Sequence, residues 1–139
     1  MRRSGYVIID DPLELGRWRG MVASAIRGKR GQAFLRRLIA ALDAMPWKGL
    51  IADKLGDEYG RICAVGAALK AAGQNLSNWE PYDHEGLGAA LNIHACLVKE
   101  VEALNDFEGG PVRPWDLAEY RWARMRYWAE EHLRKKSQT

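Results

Sequence analysis

The sequence predicts an all-α fold: one domain spanning residues 1–139, built as a bundle of five or six helices, with at most a small β element near the N-terminus or over residues 50–62. Three observations carry this expectation. The chain has 139 residues, a length that one hydrophobic core serves in a domain of about 100–150 residues. Hydrophobic residues make up 47% and charged residues 28%, which excludes disordered, collagen-like and disulfide-scaffold classes. Apolar residues also recur at helical spacing in four stretches, 34–42, 62–72, 93–104 and 122–133, whose stripes should meet in a single core.

Taken in order, residues 1–15 read as an extended arm. The run Tyr6-Val7-Ile8-Ile9 forms an edge strand or tether, closed by the turn residues Asp10-Asp11-Pro12. Trp18, Met21, Val22, Ala25 and Ile26 mark one face of a short helix over Gly16–Ile26, with Gly28 as its left-handed cap. Gly31 opens a second helix, whose stripe Phe34, Leu35, Leu38, Ile39 and Leu42 runs until Pro46 and turns Arg36 and Arg37 outward. The glycines at 49, 56 and 60 then suit a loop with a small hairpin around Gly56–Gly60.

Residues 62–73 read as a buried helix ended by Gly73. Gly66 within it costs about 1 kcal/mol of helix propensity against Ala and predicts the close approach of a neighbouring helix. Asp83 supplies an N-cap for a helix over His84–Leu91, Asn92 is a joint, and Ile93, Leu97, Val101 and Leu104 stripe the helix that follows. After the turn-rich Asn105–Arg113, a long final helix is expected from about Pro114 to Arg134, because Pro suits a first turn and Asp116 and Glu119 suit the positive end of the helix dipole.

Charge is segregated by sign. Residues 1–42 carry nine bases against three acids, with no acid between residues 15 and 42, whereas residues 43–112 carry five bases against eleven acids. Residues 113–139 return to seven bases against four acids, and the whole chain is at +3. Two arrangements fit: basic and acidic elements neutralise one another inside the fold, or the basic segment stays exposed to an anionic partner.

No apolar run reaches the roughly 18–20 residues of a membrane span, and the start Met1-Arg2-Arg3 meets Asp10 and Asp11 before a signal-peptide core can form. A cytoplasmic location without membrane partners is therefore expected. Cys63 and Cys96 lie 33 residues apart outside any CxxC or Cys/His spacing, which predicts two reduced, buried thiols and no metal site. His84, His94 and His132 have no motif around them, and acid pairs such as Glu100 with Glu102 diverge on a helix. Neither catalytic residues nor a cofactor are expected.

In the order Arg27-Gly-Lys-Arg-Gly31 with Phe34-Leu35, then Cys63-Ala-Val-Gly-Ala67, then Asn105-Asp106 and a Trp-rich terminal helix, the chain resembles small uncharacterised proteins encoded by phages and prophages over roughly residues 21–128. The resemblance implies a phage-type accessory protein acting in a bacterial host cell, of a kind that often binds and redirects a host protein or nucleic acid; the function expected on this basis is occupation of a surface of a host protein or nucleoprotein complex, such as a defence complex, without catalysis.

Two candidate surfaces follow from the residues themselves. On the terminal helix Leu117, Ala118, Trp122, Met125, Trp128, Ala129, His132 and Leu133 form an apolar arc, with Arg121 inside it; Tyr120, Arg124, Tyr127, Glu131 and Arg134 lie opposite. Tyrosine and arginine on a solvent face are the composition of a protein-contact hot spot, so Tyr120, Arg124, Tyr127 and Arg134 are the candidate partner-binding residues. The second surface is the basic segment, with Arg17, Trp18, Arg19, Arg27, Lys29, Arg30, Arg36 and Arg37 as candidate phosphate or nucleic-acid contacts, since Arg27–Gly31 precedes a helix N-terminus and Trp18 adds a stacking ring.

Overall fold

A computed structural model of the chain describes Arg3, residues 11–107 and residues 117–134. Within those residues the fold is an all-α bundle of six helices: α1 (Pro12–Arg27), α2 (Lys29–Ala44), α3 (Ala64–Ala71), α4 (His84–Leu91), α5 (Ala95–Asp106) and α6 (Leu117–Glu131). Two helices organise the packing. α2 touches α1, α3 and α6, while α5 touches α1, α3, α4 and α6. Phe34, Leu35, Leu38 and Leu42 of α2 meet Leu69 of α3 and Leu97, Val98 and Val101 of α5 in one apolar core, each of them at most 0–1% exposed. Each such side chain stabilises the fold by about 1.5–3 kcal/mol through removal from water.

α1 starts four residues earlier than its periodicity indicates. The carboxylate of Asp11 accepts a hydrogen bond from the Leu13 amide at 3.0 Å and Pro12 takes the first helical position, a pairing of cap and proline that outweighs the polar character of the first turn. Pro12–Leu15 therefore belong to a helix and not to the arm, and the expected strand at Tyr6–Ile9 lies outside the described residues. Gly28 is not a left-handed cap either. Its backbone is extended (φ −69°, ψ 167°), because this one residue must close α1 and open α2 at once. At Gly31 the two helices come so close that a Cβ would stand 1.9 Å from the carbonyl oxygen of Ala25.

The glycine of α3 admits a different neighbour from the one expected. A Cβ on Gly66 would lie 2.2 Å from the carbonyl oxygen of Leu55, so the close approach comes from the preceding loop and not from a helix. That same carbonyl accepts from the Cys63 amide at 3.1 Å. The loop carries a single antiparallel bridge, Gly56 to Ile62, around a turn in which the Asp57 carboxylate accepts from the amides of Tyr59 and Arg61. Cys63, whose sulfur accepts from the Gly66 amide at 3.3 Å, caps α3, which shortens the expected helix at its start. Gly73 does take the left-handed conformation (φ 80°).

Asp83 caps α4 through the Gly86 amide at 3.1 Å, and Asn92 makes the joint in the left-handed region (φ 56°). α5 begins two residues later than predicted, with His94 as its cap. In α6 the buried line is Arg121, Met125 and Ala129; Trp122, Trp128 and Leu133 are half-buried, and His132, placed in the apolar arc by its spacing, is exposed. Arg121 sets this rotation by donating to the Leu50 carbonyl at 2.8 Å, while the indole of Trp122 donates to the Leu42 carbonyl at 3.0 Å. Residues 114–116 of the predicted helix lie outside the described residues.

Candidate functional site

The ionisable residues that meet inside the fold come from distant parts of the sequence. Arg3 inserts between α5 and the start of α3, donating to both oxygens of Asp106 (2.7 and 2.8 Å) and to the sulfur of Cys63 (3.5 Å), with a carboxylate oxygen of Glu102 at 3.7 Å. Glu102 is fully buried, and its other oxygen is 2.8 Å from Nε2 of His84. Burial pushes the Glu102 carboxyl up to about 8, a rise that Arg3 opposes, and burial also lowers His84. At neutral pH the pair is therefore a protonated carboxyl donating to a neutral imidazole. Burial disfavours ionisation of Asp106 too, but the hydrogen bonds from Arg3 hold it below the ordinary carboxylate range. Asn105 completes the cluster: its oxygen accepts from the Ala64 amide at 3.0 Å and its amide donates to Ile51 and Asp106, each at 2.9 Å. The cluster ties Arg3 to α5 and to the start of α3, and leaves the second carboxylate oxygen of Glu102 buried without a hydrogen bond among the described residues.

On the outer side of α6, Arg124 proves to be a clasp. Its guanidinium donates to the carbonyls of Leu104 at 2.7 Å and Phe107 at 2.6 Å, at the end of α5, and it lies 5.4 Å from the ring centres of Phe107 and Tyr120. Burial lowers its pKa. Tyr127 is 66% exposed, Phe107 53% and Tyr120 36%, so these rings form an aromatic rim around a fixed arginine. Arg134, an exposed residue, follows the end of α6, and its backbone amide donates to the side chain of Gln32 at 2.8 Å. The sequence carries no signal that Phe107 belongs to this face, because the residue lies at the end of α5, outside the spacing of the terminal helix.

The eight candidate residues of the basic segment do not share one face. Arg30 and Arg37 bind the α4–α5 joint, Arg30 reaching the Asn92 side chain at 3.5 Å and Arg37 the Leu91 carbonyl at 2.8 Å. Arg17, Arg19, Arg27, Lys29 and Arg36 are exposed, and among the described residues no carboxylate pairs with any of them. Among the described residues, ion pairs that join the blocks include Arg3 with Asp106 and Arg126 with Asp43. At the start of α2, the carbonyl oxygens of Ala25 and Ile26 crowd the first turn at Gly31, an arrangement that sets negative dipole ends against an anion there.

Arg19 and Arg27 do come together with Trp18, at the rim of a groove of about 490 Å³ between α1 and the C-terminal half of α6. Gln32 fixes that groove at one end, its buried amide donating both to the Ile26 carbonyl (2.9 Å) and to the His132 carbonyl (3.0 Å). Gln32 gave no signal in the sequence, since a lone glutamine on an amphipathic helix reads as surface. Among the described residues no cluster of His, Cys, Asp and Glu is arranged to hold a metal, and no helix is long and apolar enough to cross a membrane. Both cysteines are free and buried. Comparison with known protein families, with curated proteins and with solved structures finds no match.

Proposed function

We propose that this chain is a non-catalytic accessory protein of the kind phages carry, which acts in the cytoplasm of a bacterial host by occupying a surface of a host protein or nucleoprotein complex, as in the blocking of a defence system. The observation that carries the reading is the aromatic rim on α6: Tyr120, Tyr127 and Phe107 stand exposed around an Arg124 whose position is fixed by carbonyls. Rigid aromatic side chains lose little conformational freedom on binding and dominate the energetics of protein contacts. The test is affinity capture from nuclease-treated bacterial lysate by the wild type and by Tyr120→Ala/Tyr127→Ala, both checked for folding by circular dichroism. The expected result is a specific partner held by the wild type and lost by the double variant; a partner held equally by both would overturn the assignment of this face.

A second reading, direct binding of nucleic acid through residues 17–37, is favoured by a separate observation, the five exposed cations of α1 and α2 that have no carboxylate partner among the described residues. It predicts binding that weakens steeply with salt, with a log–log slope of about −0.7 to −0.9 for each phosphate neutralised.

A further inference from the structure

The groove between α1 and α6 combines two chemistries that the two candidate surfaces keep apart. Its floor is apolar, formed by Val22 and Ile26 of α1. At its sides stand two half-buried indoles, Trp18 of α1 and Trp128 of α6, and the His132 ring lies tilted against Trp128 with centres 5.2 Å apart. Arg19 and Arg27 border it with no carboxylate partner among the described residues, the Lys99 ammonium lies 5.8 Å from the Trp18 ring, and Glu100 contributes the one acid of the described lining. Planar rings over an apolar floor, ringed by an excess of cations, fit a ligand that is flat and apolar at one end and anionic at the other.

We propose that this groove binds one nucleotide unit, its base packed against Trp128 and its phosphate held by Arg19 and Arg27. The volume suits a ligand of that size, since pockets for small molecules run from about 300 to 1,000 Å³. Stacking on an indole tolerates every base, and a forked guanidinium matches phosphate oxygens. The proposal rests on the nucleic-acid reading of the basic segment and narrows it, because Lys29 and Arg36, on α2, fall outside the groove. Gln32 gives the site its rigidity by tying α1 to the end of α6.

The test is fluorescence anisotropy with a labelled oligothymidylate of about 12 nucleotides, within the range of single-strand site sizes, titrated at several salt concentrations. Two double variants remove equal charge from exposed positions: Arg19→Ala/Arg27→Ala at the groove and Lys29→Ala/Arg36→Ala away from it. The groove variant is expected to weaken binding at least about tenfold more than the other and to flatten the salt slope by one to two phosphates. Trp128→Leu should weaken binding with the salt slope unchanged, the signature of lost stacking. Competition by thymidine monophosphate would assign the groove to free nucleotides, and competition by longer strands alone would assign it to single-stranded nucleic acid; both keep the proposal. Equal losses in the two double variants would overturn the groove and leave the nucleic-acid reading standing, whereas a wild type that binds no oligonucleotide even at low salt would overturn both.

Discussion

Replacing Glu102 by Gln should remove a pH dependence that the buried cluster imposes on folding. In the unfolded chain a glutamate titrates near 4.3, whereas burial holds the Glu102 proton in the folded protein up to about 8. Between those values the unfolded chain releases a proton that the native state keeps, so stability declines as pH rises, by up to about 1.4 kcal/mol per pH unit, and levels off above pH 8. His84 acts in the opposite direction, because burial lowers its pKa, and its contribution is lost as pH falls below about 6.5. The clean window is therefore pH 6.5 to 8, over which Glu102 alone takes away up to about 2 kcal/mol of a total typically about 5–15. The opposition of Arg3, at 3.7 Å from the second carboxylate oxygen, is already contained in the value of about 8. Gln keeps a donor toward Nε2 of His84 and cannot ionise. Urea unfolding at half-unit steps across the window should show the wild type weakening relative to Glu102→Gln with each step. Parallel curves for the two proteins would refute the buried, protonated state of Glu102.

Two glycines should answer the same substitution with opposite signs. Gly20 lies in α1 with nothing within 4 Å of a built Cβ, so Gly20→Ala should stabilise by about 0.5–1 kcal/mol; Gly66→Ala drives a methyl against the Leu55 carbonyl and should destabilise by about 1–3 kcal/mol, both read from thermal melts. Asn105→Ala strips partners from the Ala64 amide and the Ile51 carbonyl at about 1–3 kcal/mol for each buried group left unsatisfied, measurable by denaturant titration; a loss under 1 kcal/mol would show that water replaces the side chain. Arg124→Ala should lower the melting temperature while Tyr127→Ala leaves it nearly unchanged, since exposed positions usually move stability by no more than about 0.5 kcal/mol; equal shifts would show that the clasp on α5 carries no load.

Legibility in the sequence followed the range of the interactions. The all-α class, the α2 stripe Phe34–Leu42, the Asp83 cap and the Asn92 joint all depend on residues within a few positions of one another, and each appears in the structure as read. The boundaries of α1 and α3 moved because capping by Asp11 and Cys63 competes with apolar periodicity, and a thiol cap leaves little trace among buried residues. What could not be read was long-range. His84 and Glu102 are 18 positions apart, Arg3 and Asp106 are 103 apart, and Gln32 meets the end of α6 across 100. No local pattern encodes such pairs. The same holds for Arg124, whose composition reads as an exposed hot-spot residue until the carbonyls at the end of α5 are placed beside it.

These long-range polar contacts also determine which surfaces the protein offers. Arg121 binds the Leu50 carbonyl in the segment before α3, Trp122 the Leu42 carbonyl at the end of α2, and Arg124 carbonyls at the end of α5, so three hydrogen-bonding side chains within about one turn fix the rotation of α6. With that rotation set, Tyr120 and Tyr127 must face outward together, while Trp128, about 100° round from Tyr127, faces the groove against α1. One helix thus contributes an aromatic rim on one side and a wall of a cation-bordered groove on another. A partner on the tyrosine side need not cover the groove, and a nucleotide in the groove need not displace such a partner. A protein that engages a nucleoprotein complex would need two non-overlapping surfaces of this kind, which is why the tyrosine double variant and the Arg19/Arg27 double variant are expected to fail in different assays, protein capture for the first and oligonucleotide binding for the second.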